Sequence, residues 1–406
     1  MTLVPSHWER GRIKWDTAMV AGATPSTEDD SFWLEGDDPS GTPFVAIADM
    51  SRRECVSVTA KSLSLDGLKS RSMPVGQPGT LLFAMYASVG EVAFLGISAT
   101  WNQALLGITP DPDKVDSRFL RYVLLDMRGD LLRNVRSNTQ ANLNARQVGD
   151  IWFQRPPLHE QFAIADFLDR ETTRIDTLIE EQQRLIEVLR ERRDAVLSAA
   201  FDTGPSTEAT KVGRLLAARP SYGVLVPRYV DEAEGVPFVR VGDLLNLSPE
   251  RPLLAIPPEQ SDEYSRTKIV GGEVLLGVVG KMGQAVLAPQ WLAGANVARA
   301  VAVLRCKDPA VAPLLCAWFG SNNFRCKAEL ATSGDSIQPT LGMKDLARFD
   351  INLPSDPNAA AGLAGRLAKI DTLIEETERF IEFARERRVA LITAAVTGQI
   401  DVREMA

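Results

Sequence analysis

The chain has 406 residues, 45% of them hydrophobic and 24% charged, with no low-complexity tract, which excludes a disordered protein and calls for more than one ordinary core. Its formal net charge of −8 excludes a protein that coats DNA through bulk cationic attraction, so any nucleic-acid site must be a local basic surface. Four cysteines (Cys55, Cys306, Cys316, Cys326) without a C-x-x-C pair, and two histidines (His7, His159), point away from a disulfide framework, a zinc site and a His-centred triad.

In chain order, residues 1–12 lack the apolar core of a leader, and no stretch approaches the roughly eighteen uncharged apolar residues of a membrane span. A soluble, unprocessed, cytoplasmic protein is expected. PFVAIADM (43–50) reads as an alternating strand ending at Asp49. GTLLFAMYASVGEVAF (79–94) reads as a hairpin, two apolar strands around a glycine-containing turn. QANLNARQVGDIWFQRPP (140–157) reads as a short helical stretch, a strand and then proline. In IDTLIEEQQRLIEVLRERRDAVLSAA (175–200), Ile175, Leu178, Leu185, Leu189 and Val196 mark an amphipathic helix, with Gln182 and Arg192 between them and Ile179 and Ile186 widening the stripe. Gly204 stands where a C-terminal cap belongs.

The series then repeats. PFVRVGDL (237–244) ends at Asp243, GEVLLGVVGKMGQAVL (272–287) is a second hairpin, and QPTLGMKDLARFDINLPS (338–355) answers residues 140–157. IDTLIEETERFIEFARERRVALITAA (370–395) aligns with residues 175–200 without a gap, roughly two-thirds identical, with apolar Ile370, Leu373, Phe380, Ala384 and Leu391 and a cap at Gly398. Both copies carry RERR, at 190–193 and 385–388. About thirty residues of helix span roughly 45 Å. The expected fold is α+β: a tandem duplication of a mixed α/β domain followed by a long helix, the two helices packing together as a coiled-coil-like spacer. The segments are 1–157, 158–204, 205–355 and 356–406. The predicted helix-packing residues are Ile175, Leu178, Leu185, Leu189, Ile370, Leu373, Phe380 and Leu391.

Catalytic marks are missing. GVVGKMG (277–283) fails the phosphate-loop spacing twice, with Leu275 where glycine belongs and Met282 after the lysine. RPPL (155–158) and IPPE (256–259) lack the flanking groups of an amino-methyltransferase site. PDPDK (110–114) sits among turn formers with no further acids in register.

The order of elements resembles the specificity subunits of type I restriction–modification systems. The resemblance runs over essentially the whole chain and is carried by RPPLHEQFAIADFLDRETTRIDTLIEE (155–181), the two RERR…AA…TG endings, GATPS (22–26) and PSYGV (220–224). The second copy departs from the pattern at LPSDPNAAAGLAGRLAKIDTLIEE (353–376), which lacks the P-L-x-E-Q signature formed around His159 to Gln161. The resemblance implies a non-catalytic subunit of a DNA methyltransferase and restriction endonuclease complex. Each globular half would be a target-recognition domain reading half of a bipartite duplex target, while the helices dock two modification (methyltransferase) subunits. It also implies restriction/translocase subunits in the assembly, with S-adenosylmethionine, ATP and Mg on those partners and no cofactor in this chain. A scaffold that binds no DNA is the alternative that the net acidity leaves open.

Reading bases requires Arg or Lys toward guanine, Asn or Gln toward adenine, and basic or amide groups toward phosphate. Candidates in the first half are Arg52, Arg53, Lys69, Arg71, Tyr86 and, from the polar run that begins at Asn138, Gln140, Asn142, Asn144 and Arg146. In the second they are Tyr222, Arg228, Arg240, Lys268, Lys281, Gln284 and Gln338. The hairpin and the Gln140/Gln338 positions recur in both halves.

Overall fold

The computed structural model describes residues 4–51, 53–136, 142–202, 207–280, 282–332 and 339–402. The chain forms two compact units, one of residues 1–181 with 380–406 and the other of residues 182–379. Gly204 lies outside the described residues.

The first unit runs β1 (Glu9–Arg12), α1 (Ile13–Asp16), β2 (Thr17–Ala21), β3 (Trp33–Glu35), β4 (Thr42–Val45), α2 (Ile47–Met50), β5 (Cys55–Val56), β6 (Lys61–Leu63) and α3 (Leu65–Ser70). There follow β7 (Leu81–Ala84), β8 (Val92–Leu95), β9 (Thr100–Trp101), β10 (Leu105–Pro110), α4 (Ser117–Arg136), α5 (Ala145–Gly149), β11 (Trp152–Arg155) and the start of α6 (Leu158–Phe201). Its sheets have the orders β2-β10-β7-β8-β5, β3-β6-β4-β9 and β1-β11.

The second unit contains β12 (Thr207–Lys211), α7 (Val212–Leu215), β13 (Ser221–Tyr222), β14 (Val236–Val239), β15 (Leu254–Ile256), α8 (Pro258–Glu263), β16 (Val274–Gly277), β17 (Ala285–Leu287) and β18 (Asn296–Val297). It continues with β19 (Val301–Leu304), α9 (Ala312–Phe319), α10 (Asn322–Thr332), α11 (Met343–Arg348), β20 (Asp350–Pro354) and the start of α12 (Pro357–Val396). The sheet orders β13-β19-β16-β17, β15-β14-β18 and β12-β20 repeat those of the first unit, which adds the edge strands β5 and β3. A parallel pairing recurs as well, Val45 beside Trp101 in one unit and Val239 beside Val297 in the other. The duplication read from sequence is therefore a duplication of fold.

Local chemistry explains where the elements stop. The strand expected to run to Asp49 ends at Val45, because the Asp49 carboxylate accepts the Ala46 N–H at 2.8 Å and caps a helical turn. Asp243 does the same for the Arg240 N–H at 2.9 Å. The long helices start well before the repeat, at Leu158 and Pro357. At the first of these the fully buried Gln161 donates Nε2 to the carbonyls of Lys114 (2.9 Å) and Pro156 (2.8 Å) and accepts the Asp116 N–H at 2.8 Å. The E-Q pair is thus a splice between the helix start and the loop before α4, and the Glu160 carboxylate accepts hydrogen bonds from the Trp8 indole and the His7 ring. Gly398 (φ +74°) ends α12 in the left-handed region, with the Gln399 N–H reaching back to the Ala394 carbonyl.

Each unit builds its core from both long helices. In the first, Ile164, Phe167 and Leu168 join Ile392, Ala395 and Val396 around Phe83, Phe119 and Tyr122. In the second, Leu197 and Phe201 join Leu363 and Leu367 around Trp318, Phe319 and Phe324. The Arg388 Nε lies 2.9 Å from Asp176 in the first unit, and the Arg193 Nε lies 2.7 Å from Asp371 in the second. With Arg190 on Glu378 as well, residue numbers rise along one helix as they fall along the other, so the segments within the second unit are antiparallel.

The buried seam corrects the predicted one. Ile175, Leu189 and Ile370 are buried and Leu391 packs against the first core, but Leu178 is 37% exposed, Leu185 43%, Leu373 48% and Phe380 46%. The positions turned inward are Thr172, Ile175, Ile179, Ile186, Leu189 and Leu197 on α6 and their repeat partners Leu367, Ile370 and Ile381 on α12, with Thr377 opposite the place of Gln182. From Thr172 to Leu189, with Gln182 included, these keep a three-four spacing, and the sequence reading drifted off it by one residue at Leu178 and Leu185 because a second apolar row runs alongside. Ile186→Ala is expected to cost about 2–5 kcal/mol in urea denaturation, whereas Leu185→Ala costs less than about 1 kcal/mol. Equal losses at the two positions would reverse the assignment of the seam.

Candidate nucleic-acid interface

The first unit holds a cavity of about 330 Å³ where the α2–β5 loop, the β7–β8 hairpin and α4 meet the long helices. Four arginines line it: Arg53, Arg121, Arg128 and Arg388. Arg121 comes from the inward face of α4 and is 8% exposed. Its Nη1 lies 2.9 Å from Glu54, its guanidinium stacks 5.4 Å from the Tyr122 ring, and its buried Nε has no hydrogen-bond partner. Arg128 reaches Glu91 at 3.5 Å, and the other carboxylate oxygen of Glu91 is likewise buried without a partner. The Arg128 stem crosses the hairpin turn at Gly90 (φ +82°), where a Cβ would meet Arg128 Cγ at 2.7 Å. Behind the cavity, the Tyr122 hydroxyl donates to Asp169 at 2.8 Å, and burial pushes its pKa up to about 12.

The second unit has a cavity of about 480 Å³ at the equivalent place, lined by Arg193, Arg325, Asp371, Cys316, Gln284 and Leu245 among others. Arg193 answers Arg388, and Asp371 answers Asp176. Arg325 lies near the hairpin glycine as Arg128 does, its Cγ 3.8 Å from a Cβ built at Gly283 (φ +90°). Cys316 is four residues into α9, where Arg121 is four residues into α4. Burial pushes the Cys316 thiol up to about 12, against the charge of Arg193, and burial with Asp308 pushes Cys306 up to about 11.

The sequence candidates scatter around these features. Arg53 lines the first cavity and Gln284 the second. Lys69 and Arg71 are exposed at the end of α3. Tyr86 is half-buried in the hairpin turn and packs on the first core. Asn142 is exposed, Arg146 is exposed with Asp150 at 4.0 Å, and the Asn144 carbonyl is engaged by the Gln147 N–H, capping α5. Tyr222 donates its hydroxyl to the Leu341 carbonyl at 3.0 Å, and Arg228 is exposed. Arg240 grips Asp243 at 3.1 and 3.2 Å, and Lys268 pairs with Asp262. Arg52, Asn138, Gln140, Lys281 and Gln338 lie outside the described residues. The arginines that converge in the cavities, Arg121, Arg128 and Arg325, were not singled out. The available signal was a charged residue on the apolar face of α4.

Residues 5–189 match the family model of the type I restriction modification DNA specificity domain. The chain is 26% identical over 306 residues to the EcoBI specificity subunit of Escherichia coli, covering 68% of this chain and 64% of that protein. The first half of the chain is thus similar to the DNA specificity domain of type I restriction–modification systems. The MjaIX specificity subunit of Methanocaldococcus jannaschii is 27% identical over 190 residues, 46% of this chain and 42% of that protein. The match thus spans less than two thirds of the length of either relative. The fold is that of a chain from a solved type I restriction–modification assembly (TM-score 0.74, 16% identity, 98% of this chain and 100% of that one) and of the HsdS subunit of Thermoanaerobacter tengcongensis (TM-score 0.53, 16% identity, 98% of each). No described helix is long and apolar enough to cross a membrane.

Two measurements check the electrostatics of these sites. Alkylation at pH 8 should modify the exposed Cys55 and Cys326 well before Cys306 and Cys316, whose raised pKa values leave little thiolate; early labelling of Cys316 would contradict its burial. Burial raises the Asp243 pKa, but the Arg240 hydrogen bonds and charge outweigh it and hold the carboxyl below 3.8. The stability this contributes is present above the unfolded value and is lost as pH falls through the folded one. Arg240→Met should accordingly reduce the difference in urea midpoint between pH 7 and pH 3, and an unchanged difference would remove Arg240 as the cause.

Proposed function

We propose that this chain is the DNA-binding specificity subunit of a type I restriction–modification complex. Residues 1–157 and 205–355 act as target-recognition domains, each reading one half of a bipartite duplex target. The helices of 158–204 and 356–406 act as the spacer. Two quasi-equivalent readers built from one duplicated fold suit two half-sites, and loops that differ between them suit half-sites of different sequence. The observation that carries this reading is the recurrence of the sheet orders in a chain whose residues 5–189 match the specificity-domain model.

The subunit is a binder and not an enzyme. Methyl transfer from S-adenosylmethionine belongs to the modification subunits, and ATP- and Mg-dependent translocation and cleavage to the restriction subunits, in the cytoplasm. A docking surface for two modification subunits is supplied by the second apolar row. Leu178, Phe380 and Phe383 are exposed in the first unit, and their repeat counterparts Leu373, Leu185 and Val188 in the second. Each unit so presents the same three-residue apolar set, which a duplicated partner would cover twice.

Co-expression with the modification subunit encoded beside it, followed by single-molecule mapping of methylated bases, should reveal a split motif modified in both halves and lost when this chain is omitted. Unmodified DNA, with both proteins present and bound, would favour a scaffold that binds no DNA. Phe380→Asp with Phe383→Asp should abolish co-purification of one modification subunit while the chain keeps its helical circular dichroism; retention of both subunits would sink the docking assignment.

A further inference from the structure

We infer that the two arginine-lined cavities are a duplicated phosphate-oxyanion site, one in each unit, filled by backbone phosphates of the duplex. The inference rests on the DNA-reading role proposed above and extends it to residues that carry no sequence information.

The first argument is what the duplication keeps. Arg128 and Arg325 each lie beside the hairpin glycine, with Cγ 2.7 Å and 3.8 Å from a Cβ built there, yet their counter-ions differ: Arg128 reaches Glu91 on the hairpin, and Arg325 reaches Asp194 on α6 at 3.3 Å. Gln284 stands where Glu91 does, and Val389 where Asp194 does. Had the ion pair been the retained feature, the acid would have been kept with the base. The cation is kept and the acid replaced, so the requirement is for a guanidinium at that spot. Arg388 and Arg193 also line the cavities, each beside an aspartate that the duplication keeps, Asp176 and Asp371.

The second argument is unused hydrogen-bonding capacity. Arg121 is more than nine-tenths buried and lines the first cavity, and its Nε is without a partner. A buried donor left unmade is costly, and an oxyanion entering the cavity satisfies it. Each cavity has ample volume for a phosphate group, and among the lining residues arginines outnumber acids in both. Because the guanidiniums are 26–41% exposed at Arg128, Arg193, Arg325 and Arg388, they can exchange a carboxylate for an arriving phosphate.

The test uses the complex of the full chain with its modification subunits and a duplex bearing its mapped target. Affinity is measured from about 50 to 200 mM salt for wild type, Arg128→Gln, Arg325→Gln and the double variant. Each substitution should make the slope of log K against log salt shallower by about 0.9, and the double by about twice that, with the methylated motif unchanged because phosphate contacts do not specify bases. Arg128→Lys should restore most of the slope, which a fold-damaging loss would not allow. Inorganic phosphate is titrated in parallel against the thermal midpoint. Unchanged slopes with a phosphate-induced rise in wild type that Arg128→Gln lacks would keep the oxyanion site and assign it to free phosphate. Unchanged slopes and no phosphate response would overturn the inference. A wild-type complex with no salt-dependent binding and no split motif would instead remove the DNA-reading role, leaving the phosphate titration to decide the cavities alone.

Discussion

An arginine from one copy of a repeat meets an aspartate from the other, and the same exchange is made twice. Arg193 holds Asp371, and Arg388 holds Asp176. Half-exposed ion pairs of this kind contribute little energy, on the order of 0.2–1 kcal/mol each. Their importance is register: sliding either helix by one turn separates both charges at once. The energy comes from the apolar rows beside them, Ile164 with Ile392 in one unit and Leu197 with Leu363 in the other, buried in cores that also contain the globular sheets. Both domains are therefore built on helix segments whose alignment is set by the repeat itself.

A good deal of this was legible in the chain. Near-identity of residues 175–200 and 370–395 gave the duplication, and the hairpins at 79–94 and 272–287 fell where β7–β8 and β16–β17 are. The seam was misread because Leu178, Leu185, Leu373 and Phe380 are as apolar as Ile179, Ile186 and Ile381, and periodicity cannot say which of two adjacent rows turns inward. The strand through Asp49 was overextended because a carboxylate three residues past Ala46 competes for the backbone, a choice made by hydrogen bonding and not by hydropathy. The cavity arginines were illegible for another reason: Arg121, Arg128 and Arg388 are far apart in sequence, and only the packed fold brings them together.

The two halves also show what duplication leaves free to change. Sheet order, the hairpin glycine and the helix seam are retained. Arg121 has become Cys316, Glu91 has become Gln284, and the buried Gln161 splice has no counterpart before α12. Positions that fix backbone geometry are shared, while side chains around the openings have diverged.

The composition of the first unit fixes an order of assembly. Its core includes Ile392, Ala395, Val396 and Val402, which are made after the whole of the second unit, since every residue of that unit falls within 182–379. The N-terminal half must therefore wait, with part of its apolar surface uncovered, while the later-made half already holds all the chain it needs to close. A truncated product stopped at about residue 380 would leave a finished second unit attached to an unfinished first one, and a chaperone that shields nascent apolar surface would be occupied by the segment synthesised earliest.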